Sequence, residues 1–173
     1  FNDTYPYFSS WSQSWLEHAQ RYAEKMIAQV LGATDPLVVE IASNDGYLLQ
    51  YFNKAGIRVL GIDPAANCAE VARDTHGIET IVGFFGRELA ENVVNDVGYA
   101  DLIAANNVLA HAPDHNDFVA GFNVLLAPHG LATFEFPHLL ELIRNRQFDT
   151  VYHEHFAYFS LLAAEPLFVR NGL

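Results

Sequence analysis

Hydrophobic and polar positions along the chain repeat a unit of strand, turn and helix. Apolar residues recur at helical spacing from Trp15 to Val30, and Gly32 ends the run, so the pattern predicts a long amphipathic N-terminal helix. A short β-branched run follows at 37–42 and breaks into a turn at 43–46. The next stretch is helical in pattern, which completes the first unit.

The same unit then recurs along the rest of the chain. Further strands are predicted at 58–62, 79–82, 101–105 and, after a turn at 128–130, 131–136, with helices through Ala72, around Leu89 and over 117–126. Continuous apolar strands that alternate with helices indicate a parallel sheet covered on both faces. The segment 138–160 is predicted to be irregular, and a last helix spans about 161–170. The pattern therefore predicts one α/β domain over 1–173, a Rossmann-like doubly wound sheet preceded by a helix.

Composition and charge narrow the class of protein. Half of the 173 residues are hydrophobic (51%) and only 17% are charged, which is typical of a packed domain and excludes disorder as the main state. The net charge of −12 repels phosphate backbones and anionic headgroups, so neither a nucleic acid nor a membrane is an expected partner. The single cysteine, Cys68, fits a reducing compartment, and the expected location is the cytoplasm.

The turns after the first two strands carry the candidate binding residues. They read Glu40-x-Ala42-Ser43-Asn44-Asp45-Gly46 and Gly61-Ile62-Asp63-Pro64. Ligands of open parallel sheets bind at the carboxyl ends of the strands, where an acid ending the second strand can accept both hydroxyls of a ribose. The three glycines of a dinucleotide fingerprint are missing, and the carboxylates of Glu40 and Asp45 favour a ligand with a cationic tail. These turns predict a nucleoside pocket.

This first turn resembles the first motif of class I S-adenosylmethionine-dependent methyltransferases, in which an acidic residue leads into a small-residue turn and a helix. The sulfonium and ammonium charges of that cofactor suit an acidic site. The resemblance implies that 40–46 hold the amino-acid end of S-adenosyl-L-methionine, Asp63 the ribose, and Phe84 with Phe85 the adenine. The complete set of implied cofactor contacts is Glu40, Ala42, Ser43, Asn44, Gly46, Asp63, Pro64, Phe84, Phe85, Asn106 and Asn107.

The first motif departs from the family pattern at three positions. Ala42 and Asn44 stand where glycines are usual, and Phe84 stands where many relatives have an acid that reaches the adenine amine. Stacking would then contribute more of the adenine binding. Each residue also has a structural interpretation: Glu40 as a cap carboxylate, Asp63 as a turn residue, and the paired phenylalanines as core packing.

Six of the eight histidines lie beyond residue 110, in a pattern that resembles sugar C-methyltransferases acting on nucleotide-linked deoxysugars. The resemblance is carried by Tyr152-His153-Glu154-His155-Phe156-Ala157-Tyr158, by Asn107 to His111, by Tyr5 to Ser10 and by Glu135 to His138. It implies that His155 is a catalytic base with Tyr152 and Glu154 beside it, and that His111 lies near the enolate oxygen. Tyr7 is implied as a lid or substrate contact, with Tyr5 as the alternative two residues away.

The chemistry of carbon methylation explains these residue types. A base must remove a proton beside a ketone, and a donor must stabilise the enolate. A histidine titrates near neutral pH and suits the first task. His153 is more simply interpreted as an exposed or structural residue. No metal is predicted, because Pro113 breaks the helix that would align His111 with His115.

The resemblance also implies a longer chain than this sequence. Relatives carry a cysteine-rich zinc module before this segment and a further domain after it, and their sheet, of order 3-2-1-4-5, gains two more strands beside the fifth. We therefore expect a fragment without those final strands. The expected substrate is a small molecule, a nucleotide-sugar, and no oligomeric state is predicted. A small-molecule O- or N-methyltransferase, an NAD-dependent oxidoreductase and an inactive cofactor-binding fragment are the alternatives.

Overall fold

A five-stranded parallel sheet forms the centre of the molecule. The computed structural model describes residues 5–29, 32 and 35–173. The strands are β1 (Leu37–Ile41), β2 (Arg58–Asp63), β3 (Thr80–Val82), β4 (Ala100–Asn106) and β5 (Leu126–Glu135). Their order is β3-β2-β1-β4-β5, and every neighbouring pair is parallel. The predicted doubly wound sheet and its strand order are confirmed, and the order reverses between β1 and β4, where such sheets bind ligands.

Helices cover both faces of this sheet. They are α1 (Gln13–Gln29), α2 (Leu49–Lys54), α3 (Ala66–His76), α4 (Arg87–Asp96), α5 (His115–Leu125), α6 (Leu139–Asn145) and α7 (Leu161–Arg170), with short 3-10 turns at Ser9–Trp11, Leu109–His111 and Phe148–Thr150. The predicted N-terminal helix is present as α1, while Val30 lies outside the described residues. Among the described helices, none is both long and apolar enough to cross a membrane.

Successive side chains of each strand point to opposite faces of the sheet, so a separate hydrophobic core lies on each face. Val38 of β1 packs with α1, α2 and α3 on one face, whereas Val39 and Ile41 pack with α4, α5 and α7 on the other. Because β1 is covered on both sides, all five of its residues are buried, Glu40 included. A charged residue type thus enters the interior just before the first turn.

Two parts of the chain differ from the pattern-based prediction. The turn predicted at 128–130 lies within β5, where the pairing with β4 shifts from Ala100 and Leu126 to Leu102 and Leu131, so the extra residues form a bulge. The segment 138–160 was predicted to be irregular, but it contains α6. Only Leu142 of α6 is buried, and the helix ends at Arg146 in the left-handed conformation, so neither the periodicity nor a glycine cap marks it.

Candidate active site

Two adjoining cavities open where the strands end. The larger lobe has a volume of about 510 Å³, and the smaller lobe has a volume of about 310 Å³. Ala42, Val108 and His111 line both lobes, so the two form one cleft at the ends of β1 and β4. In the part of the chain that the structure describes, no lysine or arginine lines either lobe. The cleft therefore favours a neutral or cationic ligand.

The turn after β1 has the backbone of a glycine-rich loop without most of its glycines. Ala42 has φ 59° and Asn44 has φ 48°, both in the left-handed region that costs an L-residue about 1–2 kcal/mol. Gly46 follows with φ 79°, and a Cβ atom there would lie 2.8 Å from Cδ1 of Ile78. The resemblance implies glycine at positions 42 and 44. The backbone at Ala42 and Asn44 keeps the left-handed conformation that glycine adopts easily.

Asp63 holds this turn in place from the end of β2. Its carboxylate accepts hydrogen bonds from the backbone N–H of Asn44 and from that of Ala65, each at 2.8 Å. The side chain is buried, which raises its pKa, while the two backbone hydrogen bonds act in the opposite direction. Asp63 also lines the smaller lobe. The residue implied as the ribose contact therefore has a structural task as well.

The Asn44 side chain connects the turn to residues 5–11, a segment that we call the strap. Its Oδ1 accepts a hydrogen bond from the backbone N–H of Ser9 at 2.9 Å, and its Nδ2 donates to the carbonyl of Tyr7 at 3.1 Å. Tyr5, Tyr7 and Ser9 of the strap line the smaller lobe. A glycine at position 44 could form neither of the side-chain bonds, so the departure from the family pattern has a structural role.

The two candidate tyrosines of the strap differ in their surroundings. The backbone of Tyr5 exchanges two hydrogen bonds of 2.9 Å with the side chain of Asn67. Burial raises the pKa of Tyr5, and the nearby Glu154 and Tyr152 raise it further. Tyr7 is 48% exposed. Both line the smaller lobe together with Tyr152 of the segment predicted to be catalytic, so both Tyr5 and Tyr7 stay candidates for a substrate contact.

Glu40 lies behind the wall of the smaller lobe. It is fully buried, lines neither lobe, and neither carboxylate oxygen has a partner in hydrogen-bond geometry. The Tyr47 hydroxyl is its polar neighbour, and burial raises the pKa of Glu40 well above its ordinary value. Asn106 donates to the Tyr47 hydroxyl at 3.2 Å, and both of these residues line the smaller lobe. Tyr47, which directly follows the motif glycine, was not predicted as a site residue.

The larger lobe contains both phenylalanines of the loop after β3. Phe84 is 69% exposed, whereas Phe85 packs edge-to-face against Phe118 and Phe122 with ring centroids 5.8 Å and 5.2 Å apart. Phe85 thus joins the core and lines the lobe at the same time. Three further lining residues lie just before or within the start of α5, and none of them was predicted as a binding residue: Pro113, Asp114 and Phe118. Asn107, with φ 53°, lines only the smaller lobe.

A cluster of rings adjoins the cleft: His111 lines both lobes and Tyr152 lines the smaller lobe, while His155 lines neither. His155 packs edge-to-face against His111 with centroids 4.7 Å apart, and its ring is tilted by 39° against that of Tyr152 with centroids 4.1 Å apart. Its Nδ1 lies 2.9 Å from the carbonyl oxygen of Thr150. Because a carbonyl can only accept, Nδ1 carries the proton of the neutral ring and Nε2 keeps its lone pair. The geometry therefore leaves His155 with one nitrogen available as a base.

The other candidate residues near this cluster differ in how far they are buried and in how close they lie to the cleft. Burial and the neighbouring His155 lower the pKa of His111, which lines both lobes. His153 and Glu154 are exposed. His18 lies apart from the cluster and pairs with Glu135 at 2.7 Å. Within the described residues, no group of three His, Cys, Asp or Glu side chains is arranged to hold a metal ion.

This combination of fold and site defines a class. The arrangement of class I methyltransferases, whose cofactor is S-adenosyl-L-methionine, is a doubly wound sheet with a left-handed turn after β1 and an acid at the end of β2; the described lining of the cleft here includes no lysine or arginine. The sequence profile of a methyltransferase domain family matches residues 15–173, and the chain belongs to this family.

Comparisons with individual proteins agree with this assignment. The C-methyltransferase NovU of Streptomyces niveus is 43% identical over 170 residues, which is 98% of this chain and 40% of that protein. A SAM-dependent methyltransferase from Archaeoglobus fulgidus shares the fold with a TM-score of 0.70 at 13% identity, over 91% of this chain and 68% of its own. The plantazolicin methyltransferase BpumL, solved in complex with SAH, has a TM-score of 0.67 at 12% identity. The match covers 91% of this chain and 62% of BpumL. The chain thus spans less than half of the curated relative that it matches.

Proposed function

We propose that this domain transfers a methyl group from S-adenosyl-L-methionine to the carbon atom beside the ketone of a nucleotide-linked keto-deoxysugar. The observation that carries the proposal is the ring cluster, in which His155 has Nδ1 tied to a carbonyl and Nε2 left as a base. Carbon methylation needs such a base, because a C–H bond must be broken. The identity to a protein named as a C-methyltransferase supports the same acceptor atom.

The residues of the cleft fit the cofactor. S-adenosyl-L-methionine supplies an electrophilic methyl group on a positively charged sulfur. The adenine would lie in the larger lobe against Phe84 and Phe85, and the ribose against Asp63. Tyr47 and Asn106, together with the backbone of the turn after β1, would hold the amino-acid end in the smaller lobe. The absence of lysine and arginine among the described lining residues suits a ligand with net positive charge.

The ring cluster supplies the proton transfer. His155 takes the proton of the acceptor carbon at Nε2. The electron pair of that C–H bond forms the carbon–carbon double bond of the enolate, and the π pair of the ketone passes to its oxygen. Burial raises the pKa of Tyr152, and the nearby Glu154 raises it further, so the Tyr152 hydroxyl keeps its proton and can donate to the enolate oxygen. Burial lowers the pKa of His111 and favours its neutral form. A neutral His111 does not repel the positive charge that develops on His155.

Labelled cofactor tests the acceptor atom. Methyl-labelled S-adenosyl-L-methionine is incubated with the protein and a nucleotide-linked keto-deoxysugar, and the product is examined by NMR. We expect the label on a carbon-bound methyl group beside the ketone. A methyl signal on oxygen or nitrogen would show instead a small-molecule O- or N-methyltransferase.

Deuterium exchange tests the base separately from methyl transfer. With S-adenosylhomocysteine in place of the cofactor, the acceptor in deuterium oxide should exchange the hydrogen beside its ketone. His155→Ala should abolish this exchange, and His153→Ala, a change of an exposed histidine in the same segment, should leave it intact. Exchange that persists in His155→Ala would contradict the assigned role.

A further inference from the structure

Three carboxyl groups are buried around the turn after β1. Glu40 and Asp45 are fully buried, and Asp63 is 4% exposed. No lysine or arginine among the described residues forms an ion pair with any of the three. Buried carboxylates without cations are costly unless hydrogen-bond donors replace water.

Two of the three acids accept hydrogen bonds from backbone N–H groups, and the third does not. Asp63 accepts two backbone hydrogen bonds, and Asp45 accepts from the backbone N–H and the hydroxyl of Ser10. No described backbone N–H bonds to either oxygen of Glu40, whose neighbouring donor is the Tyr47 hydroxyl. Glu40 is therefore the acid for which the neutral form is most favoured, and burial raises its pKa strongly, with Asp63 and Asp45 adding to the effect.

The other titratable groups near Glu40 offer no positive charge to offset its ionisation. Tyr47, two residues before α2, lies beside Glu40, and Tyr22 of α1 lies near Glu40 as well. Glu135, at the end of β5, acts on both tyrosines and is itself paired with His18. A cation that stabilises the charged form of Glu40 must therefore come from a ligand.

Tyr47 connects Glu40 with the smaller lobe. The oxygen of its hydroxyl accepts a hydrogen bond from Asn106, so the hydroxyl hydrogen is left for another acceptor. Once Glu40 is ionised, its carboxylate is the neighbouring acceptor for that hydrogen. Since Tyr47 and Asn106 both line the lobe, a positive ligand there lies one side chain away from the buried acid.

We propose that Glu40 is the charge-sensing group of the cleft: it is neutral in the empty protein and gives up its proton when a ligand with net positive charge enters. S-adenosyl-L-methionine has net positive charge through its sulfonium, whereas S-adenosylhomocysteine, with a neutral sulfur, has none. The site then discriminates the cofactor from its product by a proton released to solvent. This inference rests on the cofactor proposed above and is independent of the acceptor.

Calorimetry measures the released proton directly. Each ligand is titrated at about pH 6.5, where its α-amino group is largely protonated, in two buffers that differ in their enthalpy of ionisation. We expect the wild type to release a proton with S-adenosyl-L-methionine and markedly less with S-adenosylhomocysteine. Its affinity for the cofactor should rise with pH, by at most about tenfold per pH unit.

Two variants decide the origin of that proton. Glu40→Gln imitates the neutral acid, so it should bind S-adenosyl-L-methionine with no proton release and with an affinity independent of pH. Tyr47→Phe keeps the acid but removes its donor, so release should fall without vanishing. Equal release from wild type and Glu40→Gln, or equal release with both ligands, would overturn the inference. Failure of the wild type to bind either ligand would overturn the cofactor assignment as well, whereas methylation of oxygen would contradict only the acceptor.

Discussion

The two sides of the cleft are held in place in opposite ways. The turn after β1 is part of the core: Ser43 and Asp45 are fully buried, and Asp63 fixes the backbone of Asn44 from the neighbouring strand. The segment 150–158, which we call the histidine segment, is mostly exposed. It is tied to the fold by few bonds, such as that from the Phe156 N–H to the Ala110 carbonyl at 2.8 Å.

Because of this difference, stability and catalysis should depend on residues of different sides of the cleft. Residues on the cofactor side complete the hydrogen bonding of the sheet ends, so changes there should reduce stability and binding together. Residues of the histidine segment contribute little buried area, so changes there should affect the reaction at almost constant stability. Each prediction below tests that separation.

The largest expected effect is that of His155→Ala. Removal of a general base lowers kcat by roughly 10²–10⁴-fold. Because the ring lies in an otherwise exposed segment, the free energy of unfolding should change by less than about 1 kcal/mol. Turnover, cofactor titration and denaturant unfolding of the same sample check these expectations. His153→Ala is the matched control, and equal losses in both variants would contradict the role of His155.

Asp63→Ala should have the opposite profile. Its loss leaves the buried N–H groups of Asn44 and Ala65 without acceptors, at about 1–3 kcal/mol each, so the free energy of unfolding should fall by roughly 2–6 kcal/mol. Cofactor binding should be lost with it. Asp63→Asn retains one acceptor oxygen and should lie in between. A variant Asp63→Ala as stable as the wild type would show that the cofactor side is not part of the core.

The same contrast explains what could be predicted from the sequence. Four of the five strands were predicted to within one residue at each end, because β-branched runs, turns and helical periodicity are local signals. Strand β5 begins five residues before its predicted start, since the predicted turn at 128–130 is a bulge within it. The motif turn and Asp63 were located for the same reason, since strand ends of one sheet meet at one edge. Helix α6 was missed because it buries only Leu142 and so has little amphipathic pattern.

Contacts between distant parts of the chain left no such signal. Nothing local predicts that Thr150 fixes the tautomer of His155, or that Asn44 binds the strap. The placement of Tyr5 and Tyr7 in one lobe with Tyr152 likewise depends on the fold. The catalytic roles of His155 and Tyr152 remain predictions, and the resemblance contributed them rather than the pattern.

A smaller effect is expected for Glu40→Gln on stability. The folded-state pKa of Glu40 is raised above its ordinary value of 4.5, so the wild type loses stability as pH rises from 4.5 through the folded-state pKa. The variant avoids that loss and should be more stable than the wild type near neutral pH. Unfolding in denaturant across this range should show the two proteins converging below pH 4.5. A difference that is constant with pH would contradict this account.

The smallest effect is expected for Tyr158→Phe, which tests how firmly the histidine segment is held. The Tyr158 hydroxyl donates to the Thr150 carbonyl at 3.3 Å, the same oxygen that fixes Nδ1 of His155, and its ring packs against His155 with centroids 5.4 Å apart. Tyr158 is thus a positioning residue. Loss of one hydrogen bond, about 0.5–1.5 kcal/mol, should lower kcat by about two- to tenfold.

The measurements on Tyr158→Phe must distinguish a misplaced His155 from a loss of cofactor binding or of folding. Deuterium exchange beside the ketone should slow in parallel with kcat, while the cofactor Kd stays unchanged, because the hydroxyl touches neither lobe. A loss as large as that of His155→Ala would mean that the shared carbonyl, and not packing against His111 and Tyr152, sets the position of the base. Unchanged turnover would mean that the ring contacts alone hold His155, and the histidine segment would then be more rigid than its few backbone bonds suggest.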